Sequence, residues 1–160
     1  MIYAQKLNRD NQPIIEWGKT TTLFVSLGLA FFVASLFMVS LFTSGENIHG
    51  YWALLIGWLG LIIFQFAWFA NPLNLLALLY LHEHSNVSLL LSALAFILAT
   101  QTFYFSEIPI SINAEKIYIK ELGLGFYIWY IAQFLFFIAS LTEFFKKRTI
   151  SKSPDTSLPL

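Results

Sequence analysis

Cysteine is absent from the 160-residue chain. Disulfide frameworks, thiol nucleophiles and cysteine-ligated metal or iron–sulfur sites are thereby excluded. Charge is scarce too: 11% of residues are Asp, Glu, Lys or Arg, against about 25% in an ordinary soluble domain. The formal net charge is zero. Basic residues sit mainly in short terminal stretches, so no nucleic acid is expected as a partner. Long internal runs carry no Asp, Glu, Lys, Arg or His, which argues against proton-coupled transporters, pumps and intramembrane hydrolases. No Ser/His/Asp arrangement and no carboxylate pair is placed for acid–base work. The chain therefore reads as non-enzymatic and without a cofactor.

What is abundant is apolar surface. Hydrophobic residues make up 58% of the chain and aromatic residues 18%, with seventeen Phe, seven Tyr and five Trp. A single soluble core of this size has no room for so much, so lipid is the expected solvent. Four stretches lack Asp, Glu, Lys, Arg and His: Thr20–Gly45, Tyr51–Leu81, Ser85–Ser106 and Leu122–Thr142. A crossing helix needs about 20 apolar residues, and unpaired backbone groups in lipid demand helix. The expectation is an all-α membrane protein: a four-transmembrane-helix bundle over residues 20–145, between an N-terminal tail (1–19) and a C-terminal tail (146–160). The first run is longer than the apolar part of a signal peptide, about 7–15 residues, and reads as a retained helix.

Lys6, Arg9, Lys19, Lys146, Lys147, Arg148 and Lys152 all fall in the tails, leaving only Lys116 and Lys120 for the loops after the first and third runs. The positive-inside bias then puts both termini in the cytoplasm. The loop 105–121 lies outside. Ile108-Pro-Ile110-Ser-Ile112 and Ile117-Tyr-Ile119-Lys alternate with period two around Asn113–Lys116, which predicts a small outer β-hairpin. Phe126, Tyr127, Trp129 and Tyr130, after Gly123 and Gly125, suit the headgroup level.

Tyr51–Leu81 is too long for one straight crossing: about 46 Å at 1.5 Å per residue. Pro72 has no N–H and its ring clashes one turn back, and Asn71 is pushed off helical angles. The second helix is therefore expected to break or kink there, in the cytoplasmic half, freeing the carbonyl of Trp68. Either the crossing ends near Ala70 or a kinked helix continues to Leu81 against the bundle. Broken helices with amide side chains line sites in some transporters, which makes Gln65, Asn71, Pro72, Asn74 and Gln133 the candidate polar site. Counted inward, Gln65 and Gln133 lie roughly 21 and 17 Å deep and are expected to meet. The alternative role for these amides, and for Gln101, is to bond helices together. Small-residue stripes at Ser26, Ala30, Ala34 and at Ser88, Ser92, Ala95, Ala99 predict close helix contacts. His82 and His84 flank Glu83 in the turn before the third run. They are the only metal-like pair, two ligands where a zinc site usually wants three or four.

Gly57-Trp-Leu-Gly60, Phe66-Ala-Trp-Phe-Ala-Asn-Pro-Leu73 and Gly123-Leu-Gly-Phe-Tyr-Ile-Trp129 resemble elements of a group of small bacterial four-helix inner-membrane proteins. The resemblance runs from about Tyr51 to Trp129. It implies a bacterial inner-membrane location and the four-helix topology, and carries over no catalytic residue. Three functions fit these observations. The first is an accessory or assembly subunit that binds lipid and another membrane protein or a second copy of itself. The second is a small transporter or lipid-binding protein built on the broken helix. The third is an immunity-like protector.

Overall fold

Most of the charge-free sequence pairs its backbone groups inside its own segment, as helix. The computed structural model describes residues 18–108 and 117–151. Three helical stretches are long and apolar enough to cross a membrane: Lys19–Leu36, Ser85–Tyr104 and Leu124–Thr149. The first is helix α1. The second is α4 (Ser85–Thr100) with a closing 3-10 turn, Gln101–Tyr104, and the third belongs to α5 (Leu124–Ser151). Helix α5 runs past residue 145, so part of the stretch read as a C-terminal tail is helical.

α1 and α5 pack antiparallel. Gly28 lies so close to Phe136 that an added Cβ would sit 2.7 Å from its ring. At the other side of α5, the α4 stripe Ser88, Ser92, Ala95, Ala99 is wholly buried, and the Ser88 and Ser140 hydroxyls meet at 2.9 Å. Small side chains let these backbones approach. The α1 stripe behaves differently. Ser26 and Ala30 are exposed, and it is Thr21, Val25, Gly28 and Ser35 that face inward.

The first run does not stay helical to Gly45. Phe37 and Met38 donate to the last carbonyls of α1, and the chain then extends as β1 (Val39–Thr43), turns, and returns as β2 (Ile48–His49). The predicted hairpin is also there in its described part, with β3 (Glu107–Ile108) pairing antiparallel with β4 (Ile117–Leu122). The residues from 109 to 116, including the expected turn, lie outside the described residues. The hairpin does not stand alone. β4 pairs with β1 through Leu41–Leu122, Phe42–Glu121 and Thr43–Ile119, giving a four-stranded sheet in the order β2-β1-β4-β3. Because β1 follows α1 and β4 precedes α5, this sheet caps one end of the bundle. At the opposite, tail end, Thr21 bonds to Glu143 and Thr142, and the Lys147 ammonium donates to the carbonyl of His82.

The second run is not one crossing helix. It begins as α2 (Gly50–Ile56), tightens to a 3-10 helix (Gly57–Ile63), reverses, passes a 3-10 turn (Ala67–Phe69) and ends as α3 (Ala70–Tyr80). α2 and its 3-10 continuation stay near the sheet end, where Gly50 adjoins the end of α1 and Gln65 reaches Glu107. Ala67–Tyr80 alone descends beside α4, over about 22 Å by helical rise. The break is thus at Phe64–Phe66, near the sheet end. It is not at Pro72, and it is not in the half nearest the tails. Pro72 is the third residue of α3, in the first turn, where the backbone N–H has no intrahelical partner to lose.

Phe64 ends the 3-10 helix in the left-handed region, φ 59° and ψ 29°, with Gln65 N bonding back to Gly60 O at 2.8 Å and Phe64 N to Leu61 O at 3.3 Å. This is a Schellman closure with phenylalanine where glycine is usual. An L-residue there costs about 1–2 kcal/mol, and Phe64 is 75% exposed. Phe64→Gly is expected to raise stability by about 0.5–1 kcal/mol, the strain relieved exceeding the chain entropy of glycine. Phe64→Ala keeps the strain and should show no gain. Thermal unfolding in detergent distinguishes the two.

Candidate functional site

The descent of the chain only from Ala67 onward leaves space under the sheet that α3 does not fill. Most of the side chains that line it are apolar. Leu41, Ile48, Ile108 and Ile119 form the roof from the sheet, and Phe32 and Leu36 close the side at the end of α1. Ala53, Leu54, Gly57 and Gly60 form a wall from α2 and its continuation, while Phe126 and Trp129 face them from α5. The cavity measures about 140 Å³. None of the described residues that line it is ionisable.

The wall stands because two breaks in helical bonding are repaired by side chains. Gln101, at the end of α4, accepts from Phe66 N at 2.7 Å and donates to Phe64 O at 2.8 Å. One amide thus takes both backbone groups that the reversal leaves without helical partners. The indole of Trp68 donates to Leu54 O at 2.7 Å, tying α2 to the chain returning beside it. Glycine at 57 gives Trp68 its place, since a Cβ there would sit 2.5 Å from the indole.

Polar groups gather at the floor. Asn71 lines the cavity, and its Oδ1 accepts from the Trp129 indole at 2.9 Å and from Gln133 Nε2 at 3.4 Å. Asn74 Nδ2 donates in turn to Gln133 Oε1. Gln133 is fully buried and Asn74 only 2% exposed. Asn74 Oδ1 is buried and has no partner among the described residues. Asn71 Nδ2 and the hydroxyl of Thr102, another lining residue, likewise make no hydrogen bond there, but neither is sealed off.

The candidate polar residues therefore separate. Asn71, Asn74 and Gln133 meet across α3 and α5. Gln65 does not meet Gln133; it lines the cavity and donates to Glu107 O at 2.9 Å. The depth count that paired them presumes unbroken helix from Tyr51, and the chain reverses at Gln65 itself. Pro72 takes no part in the cluster's bonding. Of the four aromatics assigned to a headgroup belt, only Tyr127 is exposed. Phe126 is buried, and Phe126, Trp129 and Tyr130 pack together, with Phe103 against Phe126 and Tyr130. Other outward aromatics near the sheet end include Tyr51, Trp52, Trp58, Tyr104 and Tyr118.

Among the described residues no three His, Cys, Asp or Glu side chains come together as metal ligands. His84 is exposed, while His82 Nδ1 is buried without a partner among those residues. One buried acid escapes the sequence reading. Glu143 lies one residue beyond the last charge-free run yet is 3% exposed, accepting from Thr21 at 3.1 Å. The signal is faint: a helical pattern that continues through Phe144 and Phe145. No protein-family model, curated protein or solved structure matches this chain.

Proposed function

We propose that this chain is a non-enzymatic integral membrane protein that binds a membrane-soluble hydrophobic molecule in the cavity under its sheet. One observation carries the reading. A mostly apolar, partly open cavity with a few convergent polar groups lies at one end of helices long enough to cross a bilayer, and such concavities are where small ligands bind. In this reading four segments cross: α1, Ala67–Tyr80, α4 and α5. Ala67–Tyr80 is short for a hydrocarbon core of about 30 Å, and the cavity occupies the height it leaves. The excess of Lys and Arg in the tails supports a cytoplasmic tail end and a sheet on the outer side. The resemblance to small bacterial inner-membrane proteins supports that location.

Tyr51, Trp52 and Trp58 then lie at the outer interface, with Leu55 and Ile62 beside them toward lipid. The observation favours the lipid-binding alternative over an accessory subunit. Exposed apolar residues such as Leu23, Val33, Leu75, Leu90 and Ile97 are spread over every crossing segment, as lipid contact requires, and single out no partner face.

Ala53→Trp fills the cavity from the α2 wall. The full chain, extracted in mild detergent, is expected to retain a lipid-soluble adduct in native mass spectrometry. Ala53→Trp should lose it while still unfolding cooperatively. Retention by the folded variant, or no adduct from the unsubstituted chain in any of several detergents, overturns the proposal.

A further inference from the structure

Resting on the cavity's being a ligand site, we infer that its ligand is a neutral lipid whose head carries a carbonyl acceptor and no ionisable group. The inference comes from what the cavity offers and what it lacks. An ionised head brought in here would meet no counter-charge among the described lining residues, and an unpaired charge away from water is strongly disfavoured. Phosphate and carboxylate heads are excluded on that ground. A pure hydrocarbon is disfavoured by the opposite argument. Asn71 and Thr102 line the space, Asn71 Nδ2 and the Thr102 hydroxyl have no protein partner among the described residues, and covering such groups with hydrocarbon forfeits their hydrogen bonds.

Geometry fixes which group of Asn71 is on offer. Its Oδ1 is already engaged by Trp129 and Gln133. Gln133 is held from behind by Asn74. The amide is thereby oriented with its oxygen toward α5, and its nitrogen is left as a donor for a ligand acceptor. Gln65 Nε2 is spent on Glu107 O, which leaves Gln65 Oε1 as an acceptor for a ligand hydroxyl where one is present. The cavity volume of about 140 Å³ compares with an engineered apolar cavity of about 150 Å³ that takes one benzene ring. The cavity thus holds a group about the size of one six-membered ring. The remainder must leave between helices into lipid. Two sources share this chemistry: an ester-linked acylglycerol and a ring carbonyl on an isoprenoid or alkyl tail.

The test is native mass spectrometry of the full chain titrated with four probes: dioleoylglycerol, dioleoyl phosphatidic acid, oleic acid and a decyl-substituted benzoquinone. A saturable one-to-one adduct is expected with a neutral probe, at least tenfold tighter than with either acid. Binding of dioleoylglycerol assigns the acylglycerol source and binding of the quinone alone the ring source. Asn71→Leu keeps the shape of the side chain and removes the donor, together with the oxygen that Trp129 and Gln133 use. Thr102→Val keeps the volume and removes the hydroxyl. Each is expected to weaken the neutral probe about tenfold, and Thr102→Val keeps the test decisive where Asn71→Leu fails to fold. Equal binding of an acid, binding of no neutral probe, or affinities within twofold in the folded variants overturns the inference. A charged adduct that Ala53→Trp abolishes would leave the cavity's binding role standing while overturning the neutral head.

Discussion

Gln133→Leu is expected to cost about 2–3 kcal/mol of stability, and Asn74→Leu in the same chain to return most of it. Gln133 is fully buried and is the only described partner of the Asn74 side chain. Leucine matches glutamine in size, so no cavity is created and the loss is one of hydrogen bonding. Intramembrane hydrogen bonds average only about 0.6 kcal/mol, which alone predicts a mild effect. The larger figure follows from what is left behind. Asn74 Oδ1 already lacks a described partner, so the substitution newly strands Asn74 Nδ2, and an unmet buried group costs about 1–3 kcal/mol. Replacing both members by leucine removes the orphan as well as the bond, which is close to neutral in such pairs. The double-mutant cycle, followed by thermal or denaturant unfolding in detergent, should give a coupling above about 1 kcal/mol. Additive losses would show instead that the two amides do not depend on each other.

That cluster shows where sequence and structure part. Asn71, Asn74 and Gln133 stand out in the sequence because polar side chains in apolar runs need partners, and a helix puts residues 71 and 74 on one face. Gln65 stands out equally and pairs elsewhere, since its position depends on a reversal that no glycine or proline marks. The left-handed residue there is Phe64, and the glycine that matters, Gly60, acts four residues earlier by clearing space for the carbonyl of Gln65. Pro72 draws attention as a breaker, but a first-turn proline starts a helix as readily as it stops one. Strand β1 is hidden for a different reason. Val39–Thr43 continues an apolar run, and apolar character alone does not separate a buried strand from the end of a helix. Its partner β4 lies some 80 residues later, so the pairing that stabilises it is invisible locally. The cavity itself is legible nowhere, because it is the space left when α3 starts late.

Gly123→Ala is expected to be the most damaging substitution of a single methyl group in the chain, with Gly50→Ala close behind. Neither glycine has positive φ, so backbone freedom is not the reason. Space is. A Cβ on Gly123 would overlap the carbonyl oxygen of Val39 and lie 2.9 Å from its carbon, with the Phe42 ring at 3.3 Å on another side. On Gly50 it would overlap the Ser35 carbonyl oxygen and lie 2.9 Å from the Leu36 Cα. These are backbone atoms and cannot rotate away as a side chain can. Gly123 N also donates to Ser40 O at 2.8 Å and Gly50 N to Met38 O at 2.9 Å, so both contacts sit where the sheet joins the helices. Pushing them apart separates β1 from the start of α5, or α2 from the end of α1, and both joints border the cavity. Overpacking of this kind costs about 1–3 kcal/mol, and rigid surroundings place these sites at the upper end. Gly45→Ala is the control. Its Cβ would come no closer than 3.9 Å, to the Thr43 hydroxyl, and should change stability by less than about 0.5 kcal/mol. A shift in midpoint for Gly123→Ala no larger than for Gly45→Ala would mean that the sheet does not press on α5 as described. The position also separates stability from binding. If the joint only holds the fold, Gly123→Ala loses melting temperature and any retained adduct together. If cavity shape is the more sensitive quantity, the adduct goes first, at temperatures where the protein is still folded.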